Sequence, residues 1–204
     1  MTEEQIEAVW LERVESLFLR HGIKSQTMDD ISRELGISKK TLYQMVENKD
    51  DLVRRVLEHH ISREKSQCLS MAAQATDAVD EMLMIVDSNS QDFAQMKANV
   101  LYELQKYHHD AFRLIVSFQR EFLYKLVVAN LERGRAEGLY RTDFDIDVVA
   151  RLHLASVMTL FDEEVFPSAS ITREVLFREY MMHYLHGIVS DKGLKVLRSK
   201  LQKI

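Results

Sequence analysis

The chain has one cysteine, one proline and six glycines in 204 residues, and each scarcity excludes something. With Cys68 alone, no internal disulfide and no thiolate cage around a metal can form, which suits a reducing compartment. Helix breakers are so few that long helices must run between them, and the positions of the breakers carry information. No apolar run approaches the roughly 18 uninterrupted residues that a membrane-spanning helix needs. The first residues are acidic and amphipathic rather than basic and then apolar, so a cytoplasmic protein with no membrane association is expected. Positive charge is also lacking. The formal net charge is −5, and the first sixty residues hold nine Lys and Arg against twelve Asp and Glu. Bulk attraction to a polyanion is thereby excluded, and any nucleic-acid contact must come from a local cluster.

What the chain does have is apolar periodicity, with 46% hydrophobic residues to build a core. Ile6, Val9, Trp10, Val14, Leu17 and Phe18 recur at mostly three- and four-residue spacing, which predicts a first helix ending near Gly22. Thr27 is placed to cap a second, short helix reaching Leu35, with Asp29 and Asp30 complementing its dipole. Gly36 supplies a tight turn, Ile37 an apolar plug, and Ser38 the cap of a third short helix from Lys39 to about Val46. Asn48 caps a fourth, with no breaker before Asp77. Beyond about Thr76, polar interruptions at 87–90, 108–110, 134–147 and 167–172 separate five or six further helices. No period-two pattern and no internal repeat occurs. The expected fold class is all-α: a three-helix domain over residues 1–47, then a connecting helix and a larger helical domain over 48–204.

Residues 27–52 are the most specific part of the chain. Two short helices joined by a glycine turn match the geometry by which a helix-turn-helix offers its second helix to the major groove. On that helix Leu42, Met45 and Val46 form one face, which leaves Lys39, Lys40, Tyr43 and Gln44 facing outward. Lysine ammonium groups suit guanine O6 and N7, a carboxamide pairs with adenine, and a phenol reaches a phosphate oxygen. Helix N-termini at Thr27 and at Asn48-Lys49 aim free backbone amides at points where phosphates sit, and Lys49 adds charge to the second.

The run Thr27, Ile31-Ser32 and Leu35 through Leu52, preceded by Leu17-Phe18-x-x-x-Gly22, resembles the DNA-binding signature of the TetR (tetracycline-repressor) family. About a quarter of the chain is covered. The resemblance implies a homodimer, a three-helix DNA-binding domain, a connecting fourth helix and a divergent helical domain that takes effector and partner. By position, Thr27, Tyr43 and Lys49 hold phosphates, Thr41 sits at the DNA surface, and Lys39, Lys40 and Gln44 face bases; Met28 and Ser38 belong to the same set. The family often has a small residue where Lys40 stands, and an aromatic followed by Phe where Met45-Val46 stand. The function so implied is that of a ligand-responsive repressor that binds a palindromic operator, not an enzyme, with no cofactor.

Segments 110–133, 148–166 and 171–189 are apolar over a wide arc and need cover on more than one side. The last two are the expected dimer interface; filling a larger monomer core is the alternative. An unknown small-molecule effector is given a candidate lining of Phe93, Met96, Val100, Phe118, Phe122 and Met158, with Tyr102, Gln119 and His153 as polar anchors. Any one of these residues also fits plain core. The histidine pairs 59–60, 108–109 and 183/186 suggest a metal. Adjacent helical residues point about a hundred degrees apart, however, and no third ligand accompanies His183 and His186, so no metal site is expected. A head that contacts protein instead of DNA, and a helical metalloenzyme, are the competing readings.

Overall fold

A computed structural model describes residues 3–95 and 99–202, and the side chains among them outside 3–4 and 89–95. Eleven α-helices follow in order: α1 Glu3–His21, α2 Met28–Leu35, α3 Lys39–Met45, α4 Lys49–Gln74, α5 Ala78–Gln95, α6 Val100–Tyr107, α7 His109–Ser117, α8 Tyr124–Ala136, α9 Ile146–Thr159, α10 Arg173–Ile188 and α11 Asp191–Leu201. Phe118–Leu123 is wound as a π-helix between α7 and α8. No strand occurs among the described residues; Tyr140 and Val189 form an isolated antiparallel bridge. The chain is all-α, as its periodicity predicts.

The interruption expected at 87–90 is a correction. α5 runs through it, and the Ser88 hydroxyl accepts a hydrogen bond from Gln67 of α4, so polar residues here mark a helix face and not a loop. Conversely, the Val189-Ser190 break between α10 and α11 carried no breaker residue to announce it; Ser190 caps α11 by accepting from Gly193 N–H at 3.1 Å.

The chain divides into two compact units. One comprises residues 1–65 and 95–118, the other 66–94 and 119–204. In the first, α1 packs on α2, α2 on α3, and α6 on α7. Its core is built from Val14, Phe18, Ile23, Ile31, Leu42 and Val53 together with Val100, Leu104 and Ala111. Glu15 of α1 is buried in this unit and ties α4 to α1, accepting from His60 Nδ1 at 2.7 Å and Arg63 Nη2 at 2.9 Å.

In the second unit α8 packs on α9, over a core that includes Val79, Leu83, Leu131, Tyr140, Met181, Leu185 and Leu197. Tyr140 is buried, and its hydroxyl bonds Ala78 O at 2.9 Å and Asn130 Oδ1 at 3.0 Å, which pins the ring from its far end. The ring lies against Gly134 so closely that a Cβ there would come within 2.1 Å of it. His153 of α9 is buried between Tyr180 and Tyr184 of α10. Its Nδ1 lies 2.9 Å from the Tyr180 hydroxyl and its ring centroid 4.0 Å from that of Tyr184. Burial disfavours the imidazolium and lowers the His153 pKa to about 4, while burial also raises the Tyr180 phenol to about 12.

Two outcomes follow from these contacts. Gly134→Ala is expected to lower stability by about 3 kcal/mol in urea unfolding, because the pinned Tyr140 ring has no room to yield; an unchanged midpoint would refute this. The unfolded His153 imidazole takes a proton near 6.5 and the folded one only near about 4. Stability therefore falls as pH drops from 6.5 toward 4, with a slope of up to about 1.4 kcal/mol per pH unit from this group, and levels off below. Equilibrium unfolding across that range should show the loss, and His153→Gln should flatten it; an equal slope in the variant would assign the loss elsewhere.

Candidate nucleic-acid interface

The helix-turn-helix is assembled from local rules. Thr27 has extended backbone geometry and forms a complete capping box: Asp30 N–H donates to its hydroxyl at 3.2 Å, and Thr27 N–H donates to Asp30 Oδ2 at 3.0 Å. The Thr27 hydroxyl also donates to Asp30 Oδ2 at 2.6 Å, which holds that carboxyl below its ordinary value. At the other end of α2, Gly36 adopts φ +71, in the left-handed region, with open space where a Cβ would stand. Its requirement for glycine is conformational alone. Gly36 N–H bonds Arg33 O and Ile37 N–H bonds Ser32 O, so the turn closes the helix and launches the next residue inward. Ser38 then caps α3, accepting from Thr41 N–H at 3.0 Å, while its hydroxyl meets that of Thr41 at 2.8 Å.

One face of α3 is inside and the other outside. Leu42 is 1% exposed and Val46 5%, with Met45 packed beside them, whereas Tyr43 is 46% exposed. Lys39, Lys40 and Gln44 are exposed with it. The structure thus brings Lys39, Lys40, Tyr43 and Gln44 together on one solvent-facing surface, as the spacing predicts. Lys40 meets no partner among the described residues. Lys39 does: its ammonium lies 3.0 Å from Asp29 Oδ1 and donates to Oδ2 at 3.1 Å, and this bond raises its pKa. Asp29 thereby links the N-terminal turn of α2 to that of α3.

Three of the predicted residues stand differently from expectation. Met28 is a correction: it is only 8% exposed and packs in the core. The Thr27 hydroxyl is occupied by its own cap. Lys49 is half-buried, and its ammonium donates to Ile23 O at 2.6 Å; burial lowers its pKa against the charges of Glu103 and Asp50. α4 starts at Lys49 with the expected Asn48 cap, Asp51 N–H donating to Asn48 Oδ1 at 2.9 Å.

The expected effector lining is divided. Val100 is buried in the core of the first unit beside Leu104 and Ala111, and Tyr102 is 56% exposed with its hydroxyl bonded to Lys106. Val100 as a cavity wall and Tyr102 as an internal anchor are therefore corrected. Phe118 is half-buried with the Lys65 ammonium over its ring. In the second unit Gln119 donates to Leu154 O at 3.0 Å, Phe122 and Met158 are half-buried, and His153 is held by the two tyrosines. Phe93 and Met96 lie outside the residues whose side chains are described. Among the described residues no group of three or more His, Cys, Asp or Glu is arranged to hold a metal. His59 lies against Glu12, His60 against Glu15, and His108 against Asp50. No described helix is long and apolar enough to cross a membrane.

The residue that sequence reasoning missed is Glu103 of α6, which is 7% exposed and reaches the turn between α1 and α2. A carboxylate on the apolar face of Val100 and Leu104 was the available signal, but its partners are backbone groups some eighty positions away.

Residues 11–56 match the model of the bacterial regulatory proteins, tetR family. The chain is 25% identical over 169 residues to the HTH-type transcriptional regulator YvaF of Bacillus subtilis, covering 82% of this chain and 88% of that protein. It is 23% identical over 192 residues to the HTH-type transcriptional repressor KstR2 of Mycolicibacterium smegmatis, with 91% of each chain covered. Its fold is similar to that of a TetR-family transcriptional regulator from Agrobacterium tumefaciens, with a TM-score of 0.76 over 92% of this chain and 99% of that one at 17% identity. With a capped helix-turn-helix inside the matched segment and the fold shared over most of its length, the chain carries the sequence signature of the tetR family at residues 11–56 and is similar in sequence and fold to transcriptional regulators.

Proposed function

We propose that the chain is a ligand-responsive repressor that binds a palindromic operator as a homodimer in the cytoplasm, with residues 1–47 as the DNA-binding domain and 48–204 as the connecting and effector domain. The observation that carries this reading is the outward face of α3, where two ammonium groups, a phenol and a carboxamide stand opposite a buried Leu42. Lys40 and Gln44 face bases, Tyr43 reaches a phosphate, and Thr41 lies at the DNA surface. Lys49 serves a phosphate at the start of α4 once it leaves Ile23 O.

Dimerisation is supported by apolar exposure on the two expected helices. Val148 and Leu152 of α9 are 52% and 61% exposed, one turn apart, and Val175 of α10 is 53% exposed. A second copy is the cover that a palindrome demands, since twofold docking sets two α3 helices about 34–36 Å apart in successive major grooves. An effector acts only through its different affinity for the conformers in which the two heads fit or miss that spacing. KstR2, a relative across most of the chain, is named a repressor, which favours repression.

Selection of the full-length protein on random duplexes is expected to enrich a near-palindrome. Tyr43→Ala and Lys49→Ala should weaken binding to all duplexes at least tenfold, the latter reducing the salt slope by about one. Gln44→Ala should instead relax discrimination at one base pair by about 1–3 kcal/mol. Unchanged gel-shift affinity in all three variants would end the assignment of α3 as reader, and the absence of any enriched palindrome would favour a head that contacts protein.

A further inference from the structure

The turn between α1 and α2 is gripped from a distant helix. Glu103 projects from α6 between Val100 and Leu104, themselves 5% and 6% exposed. A carboxylate so placed is unfavourable unless its charge is answered by donors. One oxygen, Oε2, accepts the N–H groups of Ile23 at 2.6 Å and of Lys24 at 2.9 Å; the other accepts from Asn99 Nδ2 at 2.6 Å. Lys49 of α4 holds the other side of the same residue, donating to Ile23 O at 2.6 Å. Gly22, with φ +85, precedes the turn, and a Cβ there would meet both carboxylate oxygens at 3.3 Å. Glycine thus gives the turn its left-handed bend and lets the carboxylate approach the backbone.

This grip bears on the DNA-facing surface because Ile23 is the base of the turn that ends at Thr27. Gln26 N–H closes the turn onto Ile23 O at 3.2 Å, and Thr27 opens α2 directly after it. Lys24 is held a second time by α6, its ammonium lying 5.1 Å from the centroid of the Tyr107 ring. When a phosphate draws Lys49 off Ile23 O, the two N–H bonds to Glu103 remain to hold the turn.

We propose that Glu103 is the positioning residue through which α6 sets the α1–α2 turn, and with it the N-terminus of α2 and the reach of Lys49. The inference rests on the operator-binding reading and adds to it the residue that sets the geometry of that surface. Geometry rather than net charge does the holding. Among the described residues Asn99 Oδ1 is buried without a partner, so in Glu103→Gln a flipped Asn99 amide accepts from the new carboxamide while the carboxamide oxygen at 103 still receives the turn N–H groups.

The test compares full-length wild type, Glu103→Gln and Glu103→Ala by residue-resolved amide hydrogen exchange without DNA, and by affinity for the duplex that wild type enriches. Glu103→Ala is expected to speed exchange at Ile23 and Lys24 at least tenfold, with Leu42 and Val53 still protected, and to weaken DNA binding at least tenfold. Glu103→Gln should stay within threefold of wild type in both. Should Glu103→Ala fail to fold, Glu103→Asp, which keeps the charge but withdraws it by one methylene, replaces it with the same expectation. Unchanged exchange at the turn, or an affinity loss in Glu103→Gln as large as in Glu103→Ala, would overturn the proposal. A wild-type chain that enriches no duplex defeats the operator reading, while the exchange arm still decides whether Glu103 holds the turn.

Discussion

A helix of seven residues does not persist in water by itself, and the surface carried by α3 depends on that constraint. Nucleating so short a helix fixes more dihedral freedom than its few backbone hydrogen bonds repay, so its existence rests on what lies at its ends and beneath it. Ser38 satisfies Thr41 N–H at one end, and Val46 N–H closes on Leu42 O at the other. Beneath it Leu42 is almost wholly withdrawn from water, a burial of about 1.5–3 kcal/mol for such a side chain. The same contact that holds the helix also orients it. With Leu42 inward, Lys40, Tyr43 and Gln44 have no direction left but outward.

The charge on this surface is restrained by neighbours. Lys39 is paired with Asp29, Lys49 is drawn onto a backbone carbonyl beside Glu103, and Arg54 in the first turns of α4 bridges Asp51 and Glu58 at 2.7 Å each. Such exposed pairs contribute little to folding. Their effect is to leave Lys40, among the described residues, as the unpartnered cation of α3 and to make any phosphate compete with a carboxylate or a carbonyl for the others. A chain of net charge −5 can hold a polyanion only through placed donors, so any such affinity is tied to the geometry of the head. The carboxylate of Glu103 on the α1–α2 turn is part of what fixes that geometry.

The helices and the outward face of α3 were legible in the sequence wherever the determining interaction is local. Thr27 with Asp30, Gly36 with Ile37, Ser38 with Thr41 and Asn48 with Asp51 all lie within three residues of one another, and each cap and turn was read correctly from residue types alone. The four-residue spacing of Leu42 and Val46 likewise told which face of α3 is buried. Where a polar run lies within a helix the same reasoning failed, as at 87–90, because the packing of neighbouring helices outweighs weak local propensity.

Tertiary structure alone decided what becomes of side chains whose partners are remote. Lys49 reads as a free cation beside a helix N-terminus, yet its ammonium is on Ile23 O, and Met28 reads as one of the DNA-contact set, yet it is core. Val100 reads as a cavity wall and packs behind the helix-turn-helix; Glu103 reads as one acid among many and holds a turn eighty residues before it. The physical reason is the range of the forces. Backbone capping and helical periodicity act over one turn and are written in adjacent residues, whereas desolvation and the pairing of a buried charge depend on which segments the fold sets side by side.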